Sequence, residues 1–380
     1  MPAAPPVTVL MTVYNGMAYL REALESVLKQ TFVDFELLVI DDASTDGSPA
    51  CVESFRDARI RLVRNSRNIG QAASLNKGIS LASSPFIARL DQDDLCLPDR
   101  LAAQISFLKE HAECAAVGSW LYWIDSKGRK TGVAGLRIHD FGSLLGILLG
   151  RATPLAHSTA LFRRDIVEGM GGYDETFAPC EDYDLWCRLA RRRCGIGMVH
   201  RPLVMLRFHD RQQSAVKLLL QQEQADRAHS RFLASLDSGK QTLGVSRLLR
   251  MDEGFWQDHR SWKEVKVVCE ALEELLADIC GRFRLSPSEE SHLKQRVSEW
   301  LSRSAFLAIL HRRYRSLLVY RAARRYGPRV RVSPLIPAYP VFLLLSPLFG
   351  PGVRGPLARV IRWLSRQRYL VRLAFDGGRA

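Results

Sequence analysis

The first hundred residues alternate between short apolar runs and helical patterns, and this alternation is the feature that most constrains the fold. Apolar runs begin at positions 7, 35, 60 and 86, and the first of them, 7–13, is almost continuous in apolar and β-branched residues. Such a run is typical of a strand buried on both faces of a parallel sheet. Between the runs, apolar residues recur at helical spacing, as they do from Leu20 to Leu28. The sequence therefore predicts an α/β fold in which an open sheet is joined by right-handed crossovers.

Polar side chains follow three of the predicted strands, at the point where each strand ends. Tyr14-Asn15 follows the first strand, Asp41-Asp42 the second, and Asp91-Gln92-Asp93-Asp94 the fourth. Open α/β sheets bind their ligands in the crevice beyond the carboxyl ends of the strands. We therefore expect an aromatic ring, paired carboxylates and a metal site to meet at one edge of the sheet.

The loop at 91–94 carries three carboxylates within four residues. Carboxylates this close repel one another unless a positive charge lies between them, and hard cations such as Mg²⁺ and Mn²⁺ prefer oxygen ligands. A metal held by one or two carboxylates keeps its other positions for water and for the phosphates of a substrate. The loop thus predicts a nucleotide-diphosphate site in which Asp91 and Asp93 hold Mn²⁺ or Mg²⁺. The alternative is a solvated acidic turn that caps the helix beginning near Pro98.

The other polar strand ends also allow two interpretations each. The ring of Tyr14 either packs on its neighbours at the rim or serves as a platform on which a base stacks. Asp41 and Asp42 either cap the next helix or bind a nucleobase. A carboxylate accepts the imide N–H of uracil, which cytosine lacks.

Candidate residues also occur between positions 157 and 209. A strand is predicted at 157–162, and His157 at its start is either a structural residue or an acceptor contact. Glu181 and Asp182 begin a helix, where carboxylates suit the N-terminus; the alternative is that one of them is a general base beside an acceptor hydroxyl. His209 is either a surface residue or a late contact to the metal or the diphosphate.

The acceptor is expected near two stretches whose specificity the sequence does not assign. Glu181 and Trp186, which lie on one predicted helix, are candidate acceptor contacts. The region 120–151 is less regular, and its Gly-rich apolar part, 141–150, is consistent with a short helix under an acceptor groove.

Five segments, taken together, resemble the family-2 glycosyltransferases with the GT-A fold. Their order, spacing and local structure agree with that family over roughly residues 5–215. The resemblance implies a GT-A fold, in which a Rossmann-like sheet binds a nucleotide-diphospho-sugar. In this chain a C-terminal helical extension is expected to follow it. The segments are 9–15, 39–48, 68–70 with 76–78, 90–94 with 98–100, and 181–182.

The resemblance also implies roles for individual residues. Tyr14 would stack on the nucleobase, the Asp41-Asp42 pair would include the residue that binds uracil, and Asp182 would be the catalytic base of an inverting transfer. The motif that matches Asp91 and Asp93 would hold the metal and the diphosphate. Further nucleotide contacts are expected at Asn15, Asn68, Gly70 and Gln92.

The activity that follows from the resemblance is a single displacement. It moves one sugar from a nucleotide-diphosphate sugar, with UDP favoured, to a hydroxyl of a glycan or lipid-linked acceptor in cell-surface polysaccharide synthesis. The Gln-x-x-Arg-Trp motif of processive synthases does not occur in the sequence. A sugar-nucleotide pyrophosphorylase would carry a Gly-rich phosphate loop where this chain has Tyr14-Asn15-Gly16. An inactive, glycosyltransferase-like scaffold would be expected to lack Asp93 or Asp182, and both are present.

The net formal charge of +14 lies in the last part of the chain. Residues 301–380 hold 16 arginines and one acidic residue, whereas acidic and basic residues nearly balance before them. Arginines flank an uncharged run, 332–353, that is long enough to span a bilayer but contains five prolines. We expect an interfacial attachment to anionic lipid. The alternatives are packing on the catalytic domain and, less favoured, nucleic-acid binding, for which stacking aromatics are missing.

These features predict three parts: a catalytic domain at 1–215, a helical appendage at 216–310, and a membrane-associated segment at 311–380. The eight cysteines are scattered without metal or redox spacing, and the first residues do not resemble a signal peptide. We therefore expect a cytoplasmic protein, peripheral at the inner face of the cell membrane, with no nucleic-acid partner.

Overall fold

The computed structural model describes residues 4–210, 212, 217–236, 242–249, 255 and 262–310. Contacts within the chain divide it into two compact units. The first contains the residues up to Phe141 together with Thr153–His229, and the second contains Gly142–Ala152 and the described residues from Ser230 on. The three-part division at 215 and 310 stays a prediction.

One nine-stranded sheet forms the first unit. The four strands predicted from the first hundred residues are confirmed, and each begins at the position where its apolar run begins. The strands are β1 Val7–Val13, β2 Phe35–Asp41, β3 Ile60–Arg64, β4 Phe86–Arg89, β5 Leu95–Cys96, β6 Cys114–Ile124, β7 Lys130–Ala134, β8 Leu161–Arg163 and β9 Gly195–Arg207.

The strand order is β3-β2-β1-β4-β8-β6-β9-β5, with β7 paired to β6. Strands β3, β2, β1 and β4 run parallel, so their carboxyl ends meet at one edge, as predicted. Strand β8 is antiparallel to both β4 and β6, while β6 and β9 run parallel over most of their length. The predicted α/β class is therefore confirmed, with a parallel half joined to a mixed half.

The helices connect and cover these strands. Helix α3 contacts β1 and β2, and α4 contacts β6. The predicted short helix at 141–150 and the helix that begins at Glu181 are both confirmed. The helices are α1 Leu20–Leu28, α2 Ser48–Glu53, α3 Gln71–Leu81, α4 Arg100–Glu110, α5 Phe141–Leu149, α6 Arg164–Glu168, α7 Glu181–Arg191, α8 Leu218–Leu236, α9 Thr242–Leu249, α10 Trp262–Phe283 and α11 Pro287–Leu310.

The strand predicted at 157–162 is wrong in its first half. Residues His157–Thr159 form a 3₁₀ turn, and the strand includes only Leu161–Arg163. The turn is closed by the bond from Thr159 N to Ala156 O at 2.9 Å. Within it, the Ser158 hydroxyl binds the acidic loop instead of facing a strand neighbour. A tertiary contact thus overrides the local apolar pattern.

The second unit is helical, which agrees with the prediction for the stretch after 216. Helices α5 and α11 pack closely through glycine: a Cβ added at Gly146 would collide with the Cβ of Arg296. The indole Nε1 of Trp300 donates to Gly146 O at 2.9 Å. The described helices contain none that is both long enough and apolar enough to cross a bilayer. The apolar run 332–353 and the whole predicted segment 311–380 lie outside the described residues.

Candidate active site

The turn after β1 presents Tyr14 at the carboxyl edge of the sheet. The ring is 48% exposed. The side-chain amide of Gln92 pairs with the Tyr14 backbone: Tyr14 N donates to Gln92 Oε1 at 2.9 Å, and Gln92 Nε2 donates to Tyr14 O at 3.3 Å. Asn15 takes a φ of 51°, and its Oδ1 accepts from Thr45 N at 2.8 Å. Gln92 and Asn15 therefore hold the turn, while the ring of Tyr14 stays available for stacking.

The two adjacent carboxylates after β2 have different surroundings. Asp42 is buried and accepts three hydrogen bonds, from Asn65 Nδ2 at 2.8 Å and from the backbone N–H groups of Ile69 and Gly70, both at 2.9 Å. Helix α2 has no side-chain cap, so the predicted N-cap role of these carboxylates is wrong for that helix. Asp42 instead holds the loop that leads into α3. Gly70 in this loop has a φ of 91°, which favours glycine, and Asn68 is exposed beside it.

Asp41 is the carboxylate of the pair with capacity for a ligand. Its Oδ1 accepts from Ser44 N at 3.3 Å, and its Oδ2 accepts from Arg64 Nε at 3.4 Å. Both bonds are long, whereas those of Asp42 have ordinary lengths. Both carboxylates are buried, and Asp41 is the one with the weaker internal partners.

The distinction predicts a stability effect at Asp42. We expect Asp42→Ala to lower the free energy of unfolding by about 2 kcal/mol, because three donors, of which Asn65 is buried, lose their charged acceptor. Urea unfolding measures this loss. Asp34→Ala, at an exposed position, is the matched control and should change stability by less than about 0.5 kcal/mol. Equal stabilities of the two variants would contradict a structural role for Asp42.

Asp91 is held by groups on two other elements. The guanidinium of Arg89 pairs with Asp91 Oδ1. Ser158 Oγ donates to Asp91 Oδ2 at 2.7 Å and accepts from Asp91 N at 3.1 Å. Burial raises the pKa of Asp91, but the charge of Arg89 and the hydrogen bond from the Ser158 hydroxyl outweigh it, so the pKa lies below its ordinary value. Asp91 is therefore a fixed, ionised carboxylate with an internal counter-ion.

Asp93 has a different partner. Its Oδ2 lies 2.9 Å from Nε2 of His209, which follows the end of β9. Burial and the charge of Asp91 raise the pKa of Asp93, and His209 lowers it without cancelling the rise. The structure thus brings together two residues that are more than a hundred positions apart in sequence and that were both candidate metal ligands.

Arg207 joins the acidic loop to β9. Its side chain is fully buried. Its backbone N donates to Asp94 Oδ1 at 2.8 Å, its Nε donates to Asp93 O at 3.0 Å, and its Nη2 pairs with Glu22 Oε2 at 2.7 Å. Arg207 therefore fixes the position of the loop.

The residues present fit a divalent cation at this place. A carboxylate and an imidazole that lie 2.9 Å apart can both turn their free electron pairs to one ion. The raised pKa of Asp93 indicates excess negative charge that a cation would relieve. Two protein ligands leave the remaining positions to water and phosphate. The part of the chain that the structure describes contains no group of three or more His, Cys, Asp or Glu arranged to hold a metal.

Asp182 lies in the first turn of α7, half-buried. Burial raises its pKa to about 6; the Tyr183 N–H, which donates to Asp182 Oδ1 at 2.8 Å, opposes the rise, and the charge of Asp91 adds to it. A carboxylate with this pKa is ionised at neutral pH and is still basic enough to accept a proton.

Glu181 is the more deeply buried of the two carboxylates at the start of α7. Burial and the charge of Asp182 raise its pKa to about 7. Among the described residues, no hydrogen-bond partner reaches Glu181 Oε2. This arrangement favours Asp182 as the ionised group.

The remaining candidate acceptor residues lie deeper than expected. His157 Nε2 is 2.9 Å from the hydroxyl of Tyr173, and burial together with the charge of Arg89 lowers the pKa of His157 to about 3. His157 is therefore neutral, and its ring is hydrogen-bonded to Tyr173. Trp186 is fully buried, so its ring packs in the core of the first unit and offers no surface to an acceptor. The proposed acceptor contact at Trp186 is not consistent with this burial.

Sequence reasoning missed the groups that position the acidic loop. Arg89, Ser158 and Arg207 are all buried and bind that loop. The signal for Arg89 was an arginine inside an apolar run, because buried charges require a partner. Ser158 carries no such signal, since its role depends on the turn at His157–Thr159.

Comparisons with known proteins agree with this geometry. A family model described as Glycosyl transferase family 2 matches residues 8–171. EpsE of Bacillus subtilis (strain 168), a protein named as a glycosyltransferase, is 37% identical over 193 residues, which are 50% of this chain and 68% of EpsE. WfgD of Escherichia coli, named UDP-Glc:alpha-D-GlcNAc-diphosphoundecaprenol beta-1,3-glucosyltransferase, is 40% identical over 102 residues, 27% of this chain and 40% of WfgD.

A solved structure supports the fold. The crystal structure of S. aureus TarS 1-349 in complex with UDP-GlcNAc superposes with a TM-score of 0.52 at 16% identity, and the match covers 86% of this chain and 93% of that one. At this identity the likeness concerns the fold alone, which confirms the GT-A architecture predicted from the motifs. The chain belongs to glycosyl transferase family 2 and is a glycosyltransferase.

Proposed function

We propose that this glycosyltransferase is a metal-dependent, inverting enzyme that moves one sugar from a UDP-sugar to a hydroxyl of a glycan or lipid-linked acceptor. The observation that carries the proposal is Asp182, whose pKa of about 6 suits a general base and which is close enough to the acidic loop to feel the charge of Asp91. A base and a diphosphate site at one edge are what a single displacement requires.

The nucleobase part of the proposal rests on the ends of β1 and β2. Tyr14 offers an exposed ring for a base, and Asp41 offers a carboxylate for an imide N–H. Uracil carries that imide, so a UDP-sugar is favoured. The TarS structure is a complex with UDP-GlcNAc, and the name of WfgD specifies UDP-Glc; both support the same donor class.

The diphosphate would meet the acidic loop. Asp93 and His209 would hold Mn²⁺ or Mg²⁺, which supplies positive charge where negative charge builds on the leaving diphosphate. Asp91 would stay paired with Arg89 and Ser158 and would hold the acidic loop in place for the donor. This division of roles departs from the sequence expectation that both aspartates hold the metal.

The proton moves to Asp182. As the acceptor oxygen attacks the anomeric carbon from the face opposite the diphosphate, Asp182 takes the hydroxyl proton, the bond to the diphosphate breaks, and the configuration inverts. The acceptor class is supported by the name of WfgD, which acts on a lipid diphosphate-linked sugar. Attachment to the inner membrane face would come from 311–380, outside the described residues.

Donor hydrolysis tests the proposal directly. We expect the purified protein, offered UDP-, GDP- and dTDP-sugars, to release UDP in the presence of Mn²⁺, and EDTA to reduce the rate on the order of 10²-fold. Asp34→Ala serves as the unaffected variant, because Asp34 is exposed and precedes β2, at the opposite end of that strand from Asp41. Release of no nucleotide from any donor, without metal-dependent nucleotide binding, would favour an inactive scaffold.

A further inference from the structure

Three rings form a cluster on the first unit that neither the proposed donor site nor the base uses. Trp120 lies on β6, His200 lies on β9, and His139 lies in the segment after β7. The rings of Trp120 and His200 are 6.1 Å apart between centroids, and those of His139 and His200 are 6.0 Å apart. The planes meet at 44° and 64°, so the rings do not stack flat on one another. We call these three residues the ring cluster.

The indole of Trp120 is held in one orientation. A Cβ added at Gly135 would collide with this indole, so the ring lies directly on the glycine backbone. Its Nε1 donates to Leu136 O at 3.2 Å. An aromatic ring fixed in this way loses little conformational freedom when it binds a ligand.

His200 is presented by an irregularity between β6 and β9. Ser119 pairs with Val199, but the next residue of β6, Trp120, pairs with Pro202. His200 and Arg201 are therefore extra residues in β9, and His200 is exposed beside Trp120. Irregularities of this kind re-aim side chains and are frequent beside functional sites.

The ring cluster lies toward the proposed reaction site. Strands β6 and β9, which carry Trp120 and His200, both contact the turn at His157–Thr159. Ser158 is the residue whose hydroxyl binds Asp91. Two residues before Trp120 on β6, a Cβ added at Gly118 would meet the side chains of Leu155 and Thr159, so β6 and the turn are in contact there. The cluster is thus continuous with the elements that hold the acidic loop.

We propose that the ring cluster is a subsite for a pyranose ring of the acceptor, an inference that rests on the proposed function. The apolar face of a pyranose packs on an indole, and its hydroxyls can hydrogen-bond to an exposed imidazole such as that of His200. Among the described residues this arrangement suits a sugar better than a lipid chain, because two of its three rings are polar and exposed. The acceptor sugar would approach over the end of β6, beside the turn at His157–Thr159.

The test compares Trp120→Ala and His200→Ala with His111→Ala, a variant of an exposed histidine on the segment after α4. The probes are hexyl pyranosides of glucose, galactose, mannose and N-acetylglucosamine. Saturation-transfer NMR reports their binding without turnover, and sugar transfer from the donor identified by hydrolysis gives the acceptor KM. We expect both cluster variants to raise the KM about tenfold and to weaken the NMR signal, with the dissociation constant of UDP unchanged.

The outcomes separate the two ideas. Unchanged pyranoside signal and KM in His200→Ala, with His111→Ala as reference, would overturn the subsite; His200 is exposed, so this variant remains informative even where Trp120→Ala disturbs packing on Gly135. Absence of any pyranoside signal from the unmodified protein would overturn it as well. Failure to release a nucleotide from every donor would instead count against the proposed function, while the NMR comparison would still decide the subsite.

Discussion

Asp182→Asn is expected to lower kcat by about 10²–10⁴-fold while UDP still binds. The amide keeps the size of the side chain and can keep the bond from Tyr183 N, but it cannot take the acceptor proton. The loss should therefore fall on the chemical step. Single-turnover transfer measures that step, and calorimetric titration with UDP measures donor binding.

The pH dependence of kcat tests the same role of Asp182. The base must be unprotonated, so kcat of the unmodified enzyme should rise with pH through about 6, the pKa that burial gives Asp182, and then level off. Asp182→Asn should lose this rise together with the activity.

Glu181→Gln is the matched control for Asp182→Asn. It changes the neighbouring carboxylate, whose pKa lies near 7, and should keep a rise near pH 6. A profile that loses its acid limb in Glu181→Gln but keeps it in Asp182→Asn would exchange the two roles. Equal loss of UDP binding in Asp182→Asn would also contradict a role confined to the proton.

The parallel half of the sheet could be predicted because each strand is buried on both faces and therefore appears as an uninterrupted apolar run. The long strand β6 could not, since its pairing with β9 contains three register shifts and depends on partners about eighty positions away. The polar residues after β1, β2 and β4 could likewise be predicted to meet at one edge, because parallel strands end together.

The individual roles at that edge were harder to predict. Asp41 and Asp42 are identical neighbours, and what separates them is the set of donors in the distant loop at Asn65 and Gly70. In the same way, Asp91 and Asp93 belong to one motif, but Asp91 is paired with Arg89 and Asp93 is paired with His209. A sequence motif shows which residue types are present, whereas the tertiary contacts of each residue determine which of them can bind a ligand.

Asp93→Asn is expected to remove the dependence of UDP binding on metal. Without the charge on Asp93, His209 alone provides a weak site, so the dissociation constant of UDP should be high and equal in Mn²⁺ and in EDTA. Unmodified enzyme should bind UDP on the order of 10²-fold more tightly in Mn²⁺ than in EDTA. Calorimetric titration of UDP under both conditions measures the difference.

His209→Ala and Asp91→Asn show which residues hold the ion. His209→Ala should raise the Mn²⁺ concentration for half-maximal UDP binding by about tenfold or more, while His111→Ala, at an exposed histidine that also pairs with a carboxylate, should leave it unchanged. Asp91→Asn should change UDP binding by a similar factor in EDTA and in Mn²⁺, because it removes the partner of Arg89 instead of removing a metal ligand. If Asp91→Asn abolishes the metal dependence and Asp93→Asn preserves it, the ion belongs at Asp91, and the pairing of Asp91 with Arg89 must open when the donor binds.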